Sequence, residues 1–435
     1  MFHTSRVYTT LALLAAAGTA HAVPSFARQT GSECAACHIG AFGLNLTPYG
    51  IRFKMGGYTD SDGKGTKVPL ALQSIYQQVN PEVGKNERRL AEIDAYLAGQ
   101  LAGPLGAFAR VATRSDGKEH RTTLESMDVR LAGETKIGEK DAVVGLSLNN
   151  TPATQDPFSV LPGRGFGVPT TDGTLLNSSS ASPLANHVLG LSGYAFYDNN
   201  WYGEVGTYRT LSPAVQDNLL GFDPSSDPGK LGANSYWRLA YMQDWKTQFF
   251  SGGLVAYDAR RQRVRGTPAD EIRDLGFDLN YQYLGTREHM FQARYAHIFE
   301  RRRYGSTPPS PFVPGLAGLP DGRAQDRTLV LTYAFRQTYG LTLARLKGTG
   351  SADPMRFPPY GRSDTTSTLV DLSWVPFGKE DSWATPWANV RLSASWFRFS
   401  KFNGSSTDVF GSAFGAPLVN AKDLDTFTLQ ARVAF

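Results

Sequence analysis

From about Pro69 to Phe435 the apolar residues recur with a spacing of two. Leu275, Phe277, Leu279, Tyr281 and Tyr283 fall on one face, and Asp274, Asp278, Asn280 and Gln282 on the other. Phe427, Leu429, Val433 and Phe435 alternate in the same way with Thr426, Thr428, Gln430 and Arg432. Leu329, Leu331, Tyr333 and Phe335 repeat the pattern, as do Val390, Leu392, Ala394 and Trp396. Strict alternation over such lengths predicts strands with one apolar and one polar face. Strands are expected at 70–79, 88–101, 105–115, 120–135, 140–149, 187–197, 201–211 and 234–244. Others follow at 247–260, 272–283, 288–300, 327–337, 340–348, 365–375, 387–401 and 424–435, about sixteen in all.

The order of the connections decides the fold class. Tight turns are expected at Gly103-Pro104, Gly138-Glu139, Asp198-Asn199-Asn200, Trp245-Lys246, Gly285-Thr286 and Tyr339-Gly340. Between them come long stretches rich in Gly, Pro, Ser and Asp, near 151–186, 213–233, 302–326, 350–364 and 402–421. Short turns on one side and long loops on the other are the pattern of an outer-membrane barrel. A soluble sandwich has no reason to lengthen every second connection. The last strand also ends on an aromatic residue, Phe435. With an even strand number, both ends of the barrel should face the periplasm and the long loops should lie outside.

The first residues read as an export signal. Arg6 supplies the positive region, Val7 to Ala17 an apolar stretch too short to span a bilayer, and Ala20-His21-Ala22 a small-residue cleavage site. The mature chain is expected to begin near Val23. No later stretch approaches about 18 consecutive apolar residues, so no membrane-spanning helix is expected. Mean hydropathy is -0.30, aromatic residues make up 12% and there are 45 Gly, which suits many short strands and tight turns. A net charge of +5 is too small and too evenly spread to argue for nucleic acid. The basic runs Arg260-Arg261-Gln262-Arg263-Val264-Arg265 and Glu300-Arg301-Arg302-Arg303 are expected as solvated loop charge, with lipopolysaccharide phosphates as the alternative partner.

The only two cysteines stand two residues apart, followed directly by a histidine: Cys34-Ala35-Ala36-Cys37-His38. In an exported protein a lone cysteine pair suggests a disulfide, but this spacing is that of c-type haem attachment. Two thiols must reach two vinyl groups on one porphyrin edge, and the next side chain must bring an imidazole nitrogen to the iron. A thioredoxin-like redox pair would need a surrounding βαβ pattern, and none is visible. Cys34 and Cys37 are therefore expected to hold one covalent heme c, with His38 as proximal iron ligand.

Downstream, Thr47 can cap a helix with Pro48 at its first position, and Gly56-Gly57 can end it. This two-turn helix makes Phe53 and Met55 available to pack on a haem face. Met55 is also a tentative distal ligand, since a thioether raises the potential of a haem iron; simple packing is the competing reading. His120, His187, His289 and His297 are rival ligands, and a five-coordinate iron is the third option. Asp60-Ser61-Asp62-Gly63 resembles the start of a calcium loop, but the distal Glu is missing and a polar linker is expected.

The stretch Pro24-Ser25-Phe26-Ala27-Arg28-Gln29-Thr30-Gly31, the Cys34–His38 motif, and Leu46-Thr47-Pro48-Tyr49-Gly50-Ile51-Arg52-Phe53-Lys54-Met55-Gly56-Gly57-Tyr58 together resemble the fused cytochrome–porins of bacterial outer membranes. In that family a monohaem cytochrome segment is joined to a barrel of about sixteen strands. Its best-known members are iron oxidases. The resemblance implies haem attachment at Cys34 and Cys37 and ligation by His38. Met55 stands where the family pattern leads one to expect leucine. Over the rest of the chain the resemblance is one of architecture.

The expected organisation is all-β: a signal peptide at 1–22, a small α-helical c-type haem segment at 23–66, and an outer-membrane β-barrel at 67–435. The expected role is electron transfer across the outer membrane, from extracellular Fe(II) to a periplasmic c-type cytochrome. No catalytic acid, base or nucleophile is needed. An outward reductase, or a porin with a structural or sensory haem plug, are the alternatives. The expected surroundings of the barrel are outer-membrane lipid.

Overall fold

The computed structural model describes residues 23–435 apart from 116–119, 164–165, 178–181, 183, 221–226, 307–316, 380–381 and 413–414. The signal-peptide expectation falls on 1–22, outside the described residues.

Sixteen antiparallel strands close into one barrel. They are β1 Leu70–Pro81, β2 Glu87–Ala102, β3 Leu105–Ser115, β4 His120–Ile137, β5 Lys140–Asn149, β6 Val188–Tyr197, β7 Trp201–Thr210 and β8 Lys230–Asp244. The chain continues through β9 Gln248–Gln262, β10 Asp270–Tyr283, β11 His289–Arg303, β12 Asp321–Phe335, β13 Tyr339–Gly350, β14 Thr365–Trp374, β15 Asn389–Lys401 and β16 Thr426–Ala434. Each strand pairs with its chain neighbours, and β1 closes on β16 with Gln73 opposite Ala434. Phe435 takes part in the closure: its N–H donates to Leu72 at 2.9 Å and its carbonyl accepts from Leu72 at 2.8 Å. Closure leaves no strand edge unpaired, which a bilayer interior requires.

The polar face is the inner one. On β10, Leu275 and Leu279 point outward at 58% and 44% exposure, while Asp274 and Asn280 are fully buried. An apolar exterior over a polar interior is what lipid outside and polar groups inside select. Near the short turns, Trp201, Trp245, Tyr283, Tyr339, Trp374 and Phe435 are exposed on the outer surface. Toward the other end, Phe299, Trp396 and Phe427 are exposed. These are the two aromatic girdles of an outer-membrane barrel. No described helix is long and apolar enough to cross a membrane.

The alternation of connections holds with exceptions at both ends: at the long-loop end, 82–86 and 263–269 are short. The connection from β14 to β15, 375–388, lies at the short-turn end and yet is long. Asp198 and Asn199, and likewise Arg336 and Gln337, have positive φ at both central positions, the geometry of tight hairpin turns. The basic runs also differ in part from expectation. Arg260-Arg261-Gln262 end β9 and Glu300–Arg303 lie in β11, where the strand period sorts them, while Arg263-Val264-Arg265 stay in the connection, Arg263 paired with Asp270 and Arg265 with Asp227. Arg260, Arg301 and Arg303 face out, whereas Arg261 and Arg302 are buried in the lumen.

A sixteen-stranded barrel is wide enough to leave an aqueous channel. Here the described interior is filled from both ends. Residues 23–66 enter at the short-turn end as a plug of three short helices, α1 Pro24–Thr30, α2 Cys34–Cys37 and α3 Pro48–Met55. From the long-loop end, the 150–187 connection folds inward through α4 Pro152–Gln155. Three wall carboxylates hold it there: Asp326 accepts from Thr174 N, Glu300 from Leu175 N and Asp274 from Leu176 N, at 2.6, 2.6 and 2.8 Å. Deeper in, Asp156 accepts from the N–H groups of Phe158, Val160 and Leu161 and pairs with the buried Arg238 at 3.1 Å. At the long-loop end a vestibule of about 480 Å³ remains, bordered by Arg263, Tyr304, Arg356 and Arg362.

Candidate haem cleft

The plug is built from local signals. Thr47 caps α3: its hydroxyl accepts from Gly50 N at 3.2 Å and donates to Ala36 O at 2.6 Å, so one side chain both starts α3 and ties it to α2. Pro48 follows at the first helical position, and Gly57 ends the helix with φ +76°. Gly50 is required by the close approach of α2, because a Cβ there would lie 2.5 Å from Cys37 O. After His38 the chain reverses so that His38 pairs with Leu46, and Ile39 N donates to Asn45 O at 2.8 Å.

The barrel wall fixes the plug at many points. Ser25 donates to Ala98 O at 2.7 Å and Tyr58 to Asp128 at 2.6 Å. Gln282 donates to Leu46 O at 2.8 Å, and Arg52 pairs with Asp244 at 2.9 Å. Asn389 donates to Ala41 O at 2.9 Å, and the long 375–388 connection supplies Gly378 O to Ala35 N at 3.1 Å. That contact gives the one long connection at this end a role in seating the α2 turn. Asp60 accepts from Tyr49 at 2.6 Å and Asp62 from Lys64 N at 2.9 Å, so the segment after α3 behaves as the expected polar linker.

Cys34, Cys37 and His38 are brought to one cleft. Phe26, Phe53, Tyr58 and Phe108 line it as well. Phe26 meets Phe53 edge-on at 5.0 Å and stacks on Tyr58 at 5.6 Å. Burial pushes the thiols up, Cys34 to about 11 and Cys37 to about 12, and pushes the His38 imidazole down to about 4. His38 is thus held neutral, the form in which an imidazole ligates a metal. Its Nδ1 is buried with no hydrogen-bond partner. A cysteine pair, a neutral histidine with an orphaned nitrogen and an apolar, aromatic lining at one cleft fit a covalently held haem. The cysteines would carry the thioethers, and His38 would supply the iron ligand.

Met55 is not brought to the cleft. It lies on the opposite side of α3 from Phe53, fully buried in a cluster with Ile51, Phe158, Tyr194 and Met242, and its carbonyl accepts from Tyr194 at 2.7 Å. The helical period turns residues two apart to different faces, so Phe53 lines the cleft and Met55 packs. None of the rival histidines lines it either. His187 bonds Gln216 and His289 bonds Tyr333, each at 2.7 Å. His297 sits among Phe277, Tyr295 and Phe299, and His120 is exposed at the start of β4. Among the described residues there is no group of three or more His, Cys, Asp or Glu placed to hold a metal ion.

Two features of the site escape sequence reasoning. Lys54 points from α3 to the inward loop, where its Nζ donates to Thr154 O and, at 2.8 Å, to Asp156 O. Ser159 of that loop lines the cleft beside the cysteines. A polar side chain between Phe53 and Met55 was the available signal; its partner, about a hundred residues away, was not.

No family model matches the chain, and no curated protein matches it. Among solved structures, OmpF of Salmonella typhi in complex with daunomycin is similar over 85% of this chain and 98% of its own, at 12% identity and a TM-score of 0.46. Outer-membrane-expressed OmpT of Vibrio cholerae covers 85% of this chain and 98% of its own, at 11% identity and a TM-score of 0.44. An anion-selective porin from Comamonas acidovorans covers 84% and 98%, at 12% identity and a TM-score of 0.42. The likeness is one of barrel outline, and nothing about the cleft follows from it.

Proposed function

We propose that this protein is an outer-membrane cytochrome–porin that takes electrons from extracellular Fe(II) and passes them to a periplasmic c-type cytochrome. The observation that carries the reading is the convergence of Cys34, Cys37 and His38 on one cleft inside the lumen of a porin-like barrel. A bound heme c supplies a one-electron couple, which matches the one-electron oxidation of iron. The chain's own residues attach, ligate and shield it. Phe26, Phe53, Tyr58 and Phe108 give the cleft an apolar, aromatic wall, and burial is a lever on the potential of such a centre.

Placement supports the same reading. The cleft lies at the short-turn end, which in barrels of this kind faces the periplasm, so a periplasmic partner can approach it. The long-loop end and its vestibule then face the donor. Oxidation outside suits iron, whose oxidised product precipitates near neutral pH. The resemblance to the fused cytochrome–porins names the donor.

The test is spectroscopic. Purified oxidised protein is mixed with Fe(II) and the haem α-band is followed, alongside the midpoint potential. Reduction by Fe(II) is expected. A potential too low for iron oxidation, with no reduction by Fe(II), makes an outward reductase the better reading.

A further inference from the structure

Most buried arginines in this lumen face carboxylates. Arg130 pairs with Asp128 at 2.8 Å, Arg238 with Asp156 and Asp278 at 3.1 and 2.8 Å, and Arg302 with Glu300 and Asp172. Arg294 on β11 differs. It is 4% exposed, its Nη1 donates to the backbone carbonyl of Ser159 at 2.7 Å, and its Nε and Nη2 are buried with no hydrogen-bond partner. Its guanidinium lies over the Phe166 ring, 5.0 Å from the centroid. No described carboxylate pairs with it. A buried cation is tolerated only when it is paired or bonded, and a guanidinium edge with two free N–H groups matches a carboxylate.

There is space for that partner. Arg294 lines a small cavity of about 20 Å³, room for one small polar group, with Leu44, Ser159, Val160, Phe166 and Thr328. Leu44 and Ser159 also line the cleft that holds Cys34, Cys37 and His38, so the two spaces share a wall. A haem fixed by thioethers at one edge carries two carboxylates on the opposite edge of its ring. Burying such a carboxylate needs a cation, and the described cleft lining offers only Lys54, whose Nζ is taken up by Thr154 O and Asp156 O.

We infer that the Arg294 cavity is a carboxylate site and that its ligand, resting on the haem reading above, is a carboxylate of the haem held at Cys34 and Cys37. Arg294 would then be a positioning residue that docks the far edge of the ring against the inward loop. The shared chemistry is a carboxylate, and a free small carboxylate is the other source.

The experiment uses the full-length holoprotein as wild type, Arg294→Gln and Arg294→Lys. A haem stain on a denaturing gel comes first. Absence of stain in wild type overturns the haem reading but not the site, which the formate arm below then judges alone. With haem present, resonance Raman reads the carboxylate bending mode and a redox titration reads the midpoint potential. Arg294→Gln should shift the mode and lower the potential, because a positive charge that favours the reduced iron is removed. Arg294→Lys should restore the potential toward wild type, and it carries the test if the Gln variant fails to fold. In the other arm, wild type is titrated with formate and its unfolding midpoint followed. A rise abolished by the Arg294 variants assigns the site to a free carboxylate and overturns the haem carboxylate. No change of mode or potential in either variant, with no response to formate, overturns the site.

Discussion

The Nζ of Lys54 lies 2.8 Å from the backbone carbonyl of Asp156, so a single side chain of the plug meets the loop that enters from the other end of the barrel. Lys54 also donates to Thr154 O, and its surroundings are buried. Removing it leaves two carbonyls short of a donor, at a cost of about 1–3 kcal/mol. Lys54→Met is expected to loosen residues 23–66 without opening the strand ladder. Hydrogen exchange should rise in the plug and in 150–163 while β10 and β11 stay protected. Equal exchange in wild type and variant would remove this link.

Gly50→Ala should damage haem attachment more than it damages the barrel. The added Cβ would sit 2.5 Å from Cys37 O, against backbone, so α3 must move off the α2 turn. Overpacking of this kind costs about 1–3 kcal/mol. A reduced haem stain is expected beside unchanged heat-modifiable migration of the barrel. Full haem loading in Gly50→Ala would mean that the α2–α3 contact is not needed.

Cys34→Ala or Cys37→Ala should prevent double thioether attachment, and His38→Ala should leave haem with altered ligation. The three residues line one cleft. The stain and the pyridine haemochrome spectrum report this, and normal coupled haem in the double cysteine variant would refute the assignment.

Met55→Leu should leave the ferric spectrum and the midpoint potential as in wild type, because Met55 packs beside Tyr194 and Phe158 and does not line the cleft. A fall in potential, with loss of a thioether-to-iron charge-transfer band, would put Met55 back at the iron.

Arg238→Met should act on the inward loop. Arg238 is buried between Asp156 of the loop and Asp278 of the wall, and its removal leaves two buried carboxylates unpaired. Breaking such a pair costs about 3–5 kcal/mol. In planar bilayers the variant should show larger or more frequent conductance steps than wild type. An unchanged conductance would mean that the loop does not depend on this ion pair.

Orientation is testable from outside intact cells. Ala352 and Ser412 are exposed on connections at the long-loop end, and Glu139 and Lys246 on short turns. With cysteine placed at each in turn, an impermeant thiol reagent should label the first two only. Labelling of the short turns would invert the topology.

All sixteen strands were legible in the sequence, because alternation is a local property that each strand carries whole. The order of long and short connections gave the closed barrel, and the Cys34–His38 spacing marked three residues that meet at one cleft. Thr47, Pro48 and Gly56-Gly57 marked the helix that packs behind that site. What the sequence did not carry was depth. Whether 23–66 hangs below the barrel or fills it depends on partners such as Ala98, Asp128, Gln282 and Asn389, which come from strands all around the wall. The same holds for the 150–187 connection, whose length looked like an outer loop. Its backbone N–H groups are satisfied only when Asp274, Glu300 and Asp326 from three adjacent strands converge on it. Met55 was ambiguous for a related reason. Spacing puts it on a face of α3, and only the packed barrel decides that this face meets Tyr194 and that the face of Phe53 meets the cleft. Period and spacing fix what a segment is; contacts between distant residues, each weak alone, fix where it goes.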